Sequence, residues 1–520
     1  FDRASGRLLD VPDVEAIRCL RQITLMWAKI NLECTDRRKR DAFTSYINCE
    51  MEVRKSDATL TDDMEKSITR LSLLLFGKVW DDIAQKVDTF QIFPSHGPGQ
   101  TADSLLGNQK WNFADWTRRL ESVFPSSEYV IPSWRYHAFL STLNFHEPGS
   151  ERPVKVITVP KTQKTPRIIA MEPVCMQYMQ QGLLEILKED VHKDDNLCRI
   201  LGWGSDPRLR GSYRDVGSDQ SLSKLNHELA RDGSISGAYA TLDLKEASDR
   251  VSYQHVLAML RYWPSAMEAF DATRSRKADV PGYGQIRLAK YASMGSALTF
   301  PVEAMIFTII VFIGIENVLN RQLKEKDISF FSRRVRVFGD DIIVPKEYVE
   351  SVVQALDAFG YRVNGSKSFW TGKFRESCGK DYYDGQDVSL VKLRHLPPCD
   401  RSDSTGWANL AEFRNQMYQF GYWQTARKID RLFKENRIPF PNVLDSSPVV
   451  GRKTHLGYQT DKMCSSLHRP LVRGLVRSPK IPTNGISDLA ALHKVLAKRG
   501  DDPFEDARHL SRSGRPSTVY

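Results

Sequence analysis

The sequence predicts an α+β protein in which an antiparallel β-sheet packs against helices. Residues 238–244 form a mainly apolar run typical of a buried strand, and two apolar segments flank Gly339 as the strands of a β-hairpin would. Apolar side chains recur at helical spacing over residues 10–93 and again after residue 393. We therefore expect the sheet in the middle of the chain and helical segments on both sides of it.

Residues 10–93 are expected to form a mainly helical N-terminal layer. The apolar residues that recur at the spacing of a helix face include Val14, Ile17, Leu20, Leu71, Leu74, Leu75 and Trp80. A loop rich in glycine and proline at 94–101 ends this layer, because neither residue favours continuing a helix.

The next feature is a predicted hairpin that carries several positive charges. Residues 154–161 and 166–170 predict two strands joined by a polar turn. Its basic residues are Lys155, Lys161, Lys164 and Arg167. Lysine and the forked guanidinium of arginine form charge-assisted hydrogen bonds that suit a triphosphate. A solvated basic surface is the other interpretation of such a run.

Aspartates stand at the ends of two predicted strands. Asp243 precedes a predicted helix over 245–263, and Asp340 and Asp341 follow Gly339 in the hairpin turn. Since strand residues alternate faces, adjacent aspartates project together only where a tight turn interrupts the strand. Clustered carboxylates repel unless a cation neutralises them, and magnesium prefers oxygen ligands. A helix cap or a solvated turn is the alternative for each aspartate taken alone.

A loop of small residues lies between the two acidic strands. Residues 293–299 lead into a strongly apolar segment at 304–315. Small side chains allow a backbone to approach a nucleic-acid strand closely. The apolar segment is too short to span a bilayer and has Glu303 and Glu316 at its ends, so we expect a buried core helix.

The last part of the chain is again predicted to be helical. Residues 346–359 predict a helix, and Lys367 follows in a polar loop. Beyond residue 393, the apolar and aromatic residues at helical spacing are Trp407, Leu410, Phe413, Met417, Phe420, Tyr422 and Trp423. Such aromatic residues suit either a helical core or stacking on RNA. Residues 511–520 predict a disordered basic tail.

Composition is that of a globular protein with a basic surplus. The chain has 520 residues, of which 41% are hydrophobic, and its 74 Lys and Arg against 64 Asp and Glu give a net charge of +10. This surplus favours a polyanionic partner, although proteins that touch no nucleic acid share it. The 8 cysteines show no C-x-x-C pair and no zinc-like spacing with histidine, which argues against a structural zinc site.

The order of these motifs resembles the palm of RNA-dependent RNA polymerases. It is most similar to the replicase catalytic subunit of positive-strand RNA bacteriophages, the levivirus-like group. The resemblance rests on Asp-Leu-Lys-Glu-Ala-Ser-Asp at 243–249, Ser-Met-Gly-Ser-Ala-Leu-Thr-Phe at 293–300, Gly-Asp-Asp at 339–341 and Phe-Arg-Glu-Ser-Cys-Gly at 374–379. These motifs follow the family's order. The resemblance implies an α+β right-hand polymerase with fingers, palm and helical thumb.

A division of the chain follows from the same resemblance. We expect an N-terminal helical layer bracing the fingers at 1–93, fingers with the basic hairpin at 94–236, a palm at 237–393 with a fingers insertion near 270–290, a helical thumb and C-terminal region at 394–510, and the tail at 511–520.

The resemblance also implies a metal site and a proton donor. Asp243, Asp340 and Asp341 match the carboxylates that bind two Mg²⁺ ions in the family, for which Mn²⁺ would be a substitute. Lys367 matches a lysine placed to protonate the departing pyrophosphate, and an exposed surface lysine is the alternative.

Nucleotide contacts are expected from the matched motifs. The implied residues are Lys155, Lys161, Lys164, Arg167, Asp249, Ser293, Gly295, Ser296 and Thr299. In the motif that matches residues 243–249, many relatives carry a second aspartate, and Asp249 stands one residue later than that position. Glu303 stands where the wider class often carries asparagine. The sequence therefore does not assign the residue that selects ribose over deoxyribose, and Ser293, Ser296 and Thr299 are its candidates.

The implied function is template-directed RNA synthesis from NTPs, replicating a phage genome in the cytoplasm of the infected bacterial host. The implied partners are template and product RNA, host translation elongation factors Tu and Ts and a ribosomal RNA-binding protein, with no membrane. Two alternatives stay open. A reverse transcriptase would favour dNTPs, and a non-catalytic RNA-binding protein would explain the basic surplus but not the co-ordered motifs.

Overall fold

The structure is a computed structural model that describes residues 2–7, 9–162, 165–203, 224–476 and 488–497. The helices are α1 (Val14–Leu25), α2 (Asp36–Asp57), α3 (Asp62–Asp88), α4 (Arg118–Val123), α5 (Ser126–Tyr129), α6 (Val174–Lys193), α7 (Asp195–Leu201), α8 (Lys224–Ser236), α9 (Ala247–Arg250), α10 (Tyr253–Met259), α11 (Pro264–Ala272), α12 (Thr299–Leu319), α13 (Glu325–Phe331), α14 (Val349–Ala358), α15 (Ser404–Gln419), α16 (Trp423–Glu435) and α17 (Asp488–Ala497).

The strands are β1 (Asp115–Thr117), β2 (Asn144–His146), β3 (Val154–Val159), β4 (Arg167–Met171), β5 (Tyr239–Lys245), β6 (Lys277–Val280), β7 (Gly284–Arg287), β8 (Arg336–Phe338), β9 (Asp341–Pro345), β10 (Arg362–Val363), β11 (Phe374–Ser377), β12 (Lys380–Tyr383), β13 (Gln386–Asp387), β14 (Val449–Val450), β15 (Lys462–Met463), β16 (Pro470–Leu471) and β17 (Leu475–Val476). Short 3₁₀ helices lie at Gly107–Trp111, Trp134–Thr142 and Lys346–Tyr348.

An antiparallel sheet of strand order β10-β5-β9-β8 forms the centre of the molecule. Its inner strands carry long runs of apolar residues, and Leu242, Ile342 and Val344 are no more than 2% exposed. Continuous burial of this kind fits a strand that is covered on both faces. The predicted buried strand and the predicted hairpin around Gly339 are both confirmed, and the molecule is an α+β protein.

A second sheet has the strand order β4-β3-β6-β7. The pair β3–β4 confirms the predicted basic hairpin, with Val159 opposite Arg167 beside the turn. Strand β6 joins β3 in parallel, so a segment from the middle of the chain extends the hairpin formed by residues more than a hundred positions earlier.

The predicted apolar core helix is confirmed as α12. Within the part of the chain that the structure describes, it is the single helix long and apolar enough to cross a membrane, but 78% of its most apolar window is buried inside the protein. Its neighbour α14 approaches closely at Gly314, where a Cβ atom would lie 2.7 Å from Val352 Cα. Helix α12 is therefore a core element that supports the central sheet.

The helix expected over 245–263 is wrong as a continuous element. Glu246 adopts a left-handed backbone with φ of +53°, and the chain forms the short helix α9 before α10 begins. Ser252 lies between these two helices, and its side chain accepts a hydrogen bond of 3.0 Å from Gln254 N, which caps α10. The cap and the left-handed residue divide the segment despite its helical periodicity.

The C-terminal region contains a small apolar core of its own. Trp407, Leu410 and Phe433 are no more than 5% exposed where α15 packs against α16. Trp423, at the start of α16, is 59% exposed. The predicted aromatic group therefore divides into core and surface residues. The predicted tail at 511–520 lies outside the described residues.

Candidate active site

The Gly339 turn and the end of β5 face the same cleft. Asp243 lies opposite Asp341 in the β5–β9 pair, and Asp340 is the adjacent turn residue. The cleft has a volume of about 830 Å³, and both Asp243 and Asp340 line it. Other predicted site residues along it are Lys161, Arg167, Asp249, Gly295, Ser296, Thr299 and Lys367. The fold thus gathers residues from five separate segments of the chain in one place.

Glycine is required at the turn for two reasons. Gly339 has φ of +62°, a left-handed conformation that other residues rarely adopt. A Cβ atom there would lie 2.7 Å from Phe300 Cε2 and 3.2 Å from Glu303 Oε1. The turn therefore brings Asp340 to the cleft while its backbone packs against the start of α12.

The two aspartates of the turn have different surroundings. Burial, with a contribution from Asp243, raises the pKa of Asp340, while Lys367 and Lys161 act in the opposite direction. Asp341 does not line the cleft, and its Oδ2 accepts a hydrogen bond of 3.2 Å from Cys378 N. Burial raises the pKa of Asp341 to about 7, and Asp340 adds to the shift. Asp340 is thus the turn carboxylate that faces the cleft.

Asp243 is held in place by the segment that follows β10. Its Oδ2 accepts a hydrogen bond of 2.7 Å from Asn364 Nδ2, and its Oδ1 lies 3.3 Å from Lys367 Nζ. Although burial acts the other way, Asp243 raises the pKa of Lys367, which favours the protonated ammonium. The predicted proton donor therefore lies next to the predicted metal ligand.

The basic hairpin reaches the cleft at its turn end only. Lys161 and Arg167 line the cleft, and burial, followed by repulsion from Arg167 and Lys367, lowers the pKa of Lys161. Lys155 lies at the other end of β3, opposite Met171, and does not line the cleft. Lys164 lies outside the described residues.

The small-residue loop is anchored to the basic hairpin by backbone contacts. Ala170 N donates a hydrogen bond of 2.8 Å to Met294 O, and a Cβ atom on Gly295 would lie 1.8 Å from Ala170 O. Ser296 and Thr299 line the cleft, whereas Ser293 is 2% exposed and does not. Ser296 and Thr299 thus belong to the cleft wall, with the Thr299 hydroxyl donating to Ser293 O, and the third predicted residue, Ser293, is turned inward.

Several residues around the cleft carry no signal in the sequence. Asp249 forms an ion pair of 2.8 Å with the fully buried Lys290, and Glu50 Oε1 lies 3.3 Å from the same ammonium. Tyr46 of α2 bonds Ser293 across 2.8 Å. More than 200 sequence positions separate Tyr46 and Glu50 from these partners, so no local pattern connects them.

The carboxylates of the cleft suit a divalent cation. Glu303 Oε2 is buried without a hydrogen-bond partner, and burial together with Asp340 and Asp249 raises the pKa of Glu303 well above its ordinary value. A cation beside Asp243 and Asp340 would relieve this repulsion. Within the described ranges, no three His, Cys, Asp or Glu side chains are spaced to hold a metal by themselves. Water and substrate phosphates would complete the coordination.

Part of the chain is similar in sequence to known RNA replicases. Residues 149–396 match the family model described as RNA replicase, beta-chain. The RNA-directed RNA polymerase subunit beta of Qbeta virus (strain MX1) is 31% identical over 56% of this chain and 43% of its own length. The corresponding beta chain of Escherichia phage MS2 is 33% identical over 46% of this chain and 37% of its own. That of Enterobacteria phage SP is 30% identical over 66% of this chain and 54% of its own.

The chain spans about half, or less, of the length of these curated relatives. Among solved structures, the RNA-dependent RNA polymerase of a human picorbirnavirus aligns with a TM-score of 0.36 and 11% identity over 51% of this chain and 52% of its own. The acidic strand end, the small-residue loop, the Gly-Asp-Asp turn and the motif at 374–379 all lie inside the segment that the family model matches. Residues 149–396, just under half of the chain, are similar to the RNA replicase beta-chain family.

Proposed function

We propose that this chain catalyses template-directed RNA synthesis from NTPs on an RNA template and so replicates a positive-strand RNA phage genome. The observation that carries the proposal is the convergence of Asp243 and Asp340 with Lys161 and Arg167 in one cleft. The paired carboxylates suit the metal ions that accompany a nucleoside triphosphate, and the paired cations suit its phosphate groups. The match of residues 149–396 to the replicase family model supports the same reaction.

Asp243 and Asp340 are the proposed ligands of two Mg²⁺ ions, for which Mn²⁺ would be a substitute. When bound, the ions would activate the primer 3′-hydroxyl and neutralise charge on the leaving pyrophosphate. Asp341, the third predicted ligand, is bonded to Cys378 N and would act by holding the turn.

The chain's own residues would bind and orient the nucleotide. Lys161 and Arg167 would hold phosphate oxygens through charge-assisted hydrogen bonds. In the small-residue loop beside this hairpin, Ser296 and Thr299 would face the sugar. Lys367, whose ammonium is stabilised by Asp243, would hold the proton that the pyrophosphate accepts. Catalysis would then depend mainly on positioning and on fixed charges.

We also propose the right-hand arrangement of fingers, palm and thumb, with the boundaries expected from the sequence. The pairing of β6 with β3 supports the assignment of a fingers insertion near 270–290, because both strands belong to the sheet of the basic hairpin. The central sheet would be the palm and the α15–α16 region the thumb.

The proposed partners are template RNA, product RNA and NTPs. Elongation factors Tu and Ts and a ribosomal RNA-binding protein are proposed as host partners, in the cytoplasm of the infected bacterium. The net charge of +10 supports binding of a polyanion.

The substitution Asp340→Asn tests the proposed activity. With an RNA template and Mg²⁺, we expect incorporation of labelled NTP to fall at least about a hundredfold, because a charge aimed at the reacting groups is lost. RNA affinity should stay within about twofold, since phosphate contacts by other residues dominate it. Asp357→Asn, on the exposed side of α14, is the matched control and should retain activity.

Three results would contradict the proposal. An Asp340→Asn variant with the turnover of the unmodified chain would remove the turn from catalysis. Preference for dNTPs on the same RNA template would indicate a reverse transcriptase. RNA binding without incorporation of either nucleotide class would indicate a non-catalytic RNA-binding protein.

A further inference from the structure

A fully buried lysine lies behind one wall of the cleft. Lys290 has 0% of its side chain exposed and does not line the cleft itself. Its Nζ lies 2.8 Å from Asp249 Oδ1 and 3.3 Å from Glu50 Oε1. Burying an ammonium group is costly unless it is paired, and here two carboxylates from distant parts of the chain surround it.

One of those carboxylates faces the cleft. Asp249 is among the residues that line it, and its side chain is 22% exposed. Oδ1 is occupied by the Lys290 ammonium, which fixes the plane and direction of the carboxylate. Glu50 also holds the backbone next to Lys290, because its Oε2 accepts a hydrogen bond of 2.7 Å from Ala289 N.

The same ammonium is connected to the small-residue loop. Lys290 Nζ lies 3.5 Å from the centroid of the Tyr46 ring, a cation–π contact. The Tyr46 hydroxyl bonds Ser293 Oγ at 2.8 Å, and Ser293 O accepts a hydrogen bond of 2.7 Å from Thr299 Oγ1. Thr299 lines the cleft, so an unbroken set of contacts joins Lys290 to a second group on the cleft wall.

We propose that Lys290 is a positioning residue for nucleotide selection, which holds Asp249 directly and the Ser293–Thr299 loop through Tyr46 in the relative geometry that favours a ribonucleotide over a deoxyribonucleotide. This inference rests on the proposed polymerase function. Helix α2, which supplies Tyr46 and Glu50, is then part of the nucleotide site.

The reason to expect selectivity is the placement of the network. The network reaches the cleft at the Asp249 carboxylate and at the loop that carries the Thr299 hydroxyl. Carboxylates and hydroxyl groups both form hydrogen bonds with a sugar hydroxyl. A site built to bond a hydroxyl group discriminates strongly against a substrate that lacks it, provided that its polar groups are held in position. Asp243, Asp340 and Lys367 make none of the contacts in this network, so the chemical step should be affected less than the choice of sugar.

Two substitutions test the network at different strengths. Tyr46→Phe removes only the hydroxyl that bonds Ser293 and leaves the ring beneath the ammonium. We expect the ratio of kcat/KM for NTP to that for the matching dNTP to fall by about two- to tenfold, the value of one hydrogen bond. Lys290→Met removes the charge at nearly constant length, and the ratio should fall at least as far.

Tyr361→Phe is the matched control. Its hydroxyl is also buried and bonds His255 Nδ1 at 2.9 Å, but neither residue lines the cleft. It should lose thermal stability comparably to Tyr46→Phe and keep the full NTP preference. If Tyr46 had only a structural role, Tyr46→Phe and Tyr361→Phe would both lower the melting temperature. Neither would then change the ratio of kcat/KM for NTP to that for dNTP.

A double substitution tests whether Lys290 acts through Asp249. If it does, Lys290→Met combined with Asp249→Asn should reduce the ratio no further than the larger of the two single substitutions. Fully additive losses would overturn this connection.

Failure of this inference is distinguishable from failure of the proposed function. An unmodified chain that incorporates no nucleotide would overturn the polymerase function itself. An unmodified chain that prefers NTPs, with the same preference in both Tyr46→Phe and Asp249→Asn, would overturn the inference alone. Because Tyr46→Phe keeps all buried charges paired, it tests the connection to the loop even where Lys290→Met does not fold, and Asp249→Asn tests the direct connection.

Discussion

Gly295 is the residue at which the backbone of the small-residue loop meets that of strand β4. Its φ is +144°, and an added Cβ atom would lie 1.8 Å from Ala170 O. Because the obstacle is a strand backbone and not a flexible side chain, neither partner can move cheaply. The loop that carries Ser296 and Thr299 therefore depends on the absence of a side chain at this position.

We predict that Gly295→Ala moves the loop away from β4 and lowers both activity and stability. The left-handed backbone alone should cost about 1–3 kcal/mol, and the overlap with Ala170 adds to that cost. Gly284→Ala is the control, because Gly284 also has a positive φ, +73°, but a Cβ atom added there would meet nothing within 4 Å. Melting temperatures and NTP incorporation should separate the two variants. Equal losses in both would show that backbone strain, and not contact with β4, matters at 295.

The residues on the cleft differ in how far the sequence could reveal them. Asp243 and Asp340 were predictable because a strand end and a glycine turn are local patterns. Lys290 and Tyr46 were not predictable from the sequence, because their roles depend on burial and on tertiary contacts. Tyr46, for example, bonds Ser293 from more than 200 positions away. Lys155 shows the opposite error, because a shared hairpin does not place all of its charges at the same end.

At the scale of elements, Glu172 connects the end of β4 to the segment before β6. Ser275 Oγ donates a hydrogen bond of 2.5 Å to Glu172 Oε2, and the Glu172 backbone oxygen accepts one of 2.8 Å from Ala102 N. Burial raises the pKa of Glu172 to about 7, although Ser275 and Gln180 act in the opposite direction. The carboxyl is thus mainly neutral in the folded protein below about pH 7.

We predict that this carboxyl makes stability fall as pH rises from about 4.5 to about 7. An acid whose pKa is higher in the folded state binds its proton more tightly there, so the stabilisation is complete below the unfolded pKa and is lost as pH passes the folded pKa. Glu172→Gln should remove this dependence and stabilise the protein at pH 8 by up to about 3 kcal/mol, since one pKa unit corresponds to about 1.4 kcal/mol.

Melting temperatures of Glu172→Gln and the unmodified chain, measured between pH 5 and pH 8, test this prediction. Glu185→Gln, on the exposed side of α6, is the control and should follow the unmodified chain. A constant difference between Glu172→Gln and the unmodified chain across this range would assign the effect to packing and not to ionisation.

Elements with one strong pattern were easier to predict than those shaped by their neighbours. Strands β5 and β9 and helix α12 are long apolar runs, and the structure has them where the sequence places them. The segment after β5 has helical periodicity throughout, but Ser252 also forms a bridge to Lys290, which fixes a break between α9 and α10. That bridge is a tertiary contact, which overrides local propensity.

At the scale of the whole molecule, the N-terminal layer is joined to the cleft by ion pairs. Glu52 of α2 contacts Arg250 at 2.6 Å and Arg362 at 3.1 Å, so one carboxylate connects the motif after β5 to strand β10. The sequence predicts the helical character of this layer correctly. It does not indicate that α2 contacts the segments carrying the acidic motifs, because the charges that pair are far apart along the chain.

Helices α1 and α2 of the N-terminal layer should therefore differ in how often they open locally. In α2, five side chains are buried, including Tyr46 and Glu50, whereas Gln22 is the single buried residue of α1. Amide exchange follows local opening, which is rarer where a helix is packed into a cooperative core. We predict that α2 exchanges at least about tenfold more slowly than α1 and at a rate near that of β5. Hydrogen-exchange mass spectrometry of the unmodified chain would measure this. Rapid exchange of α2 beside a protected β5 would show that the N-terminal layer opens independently of the central sheet that borders the cleft.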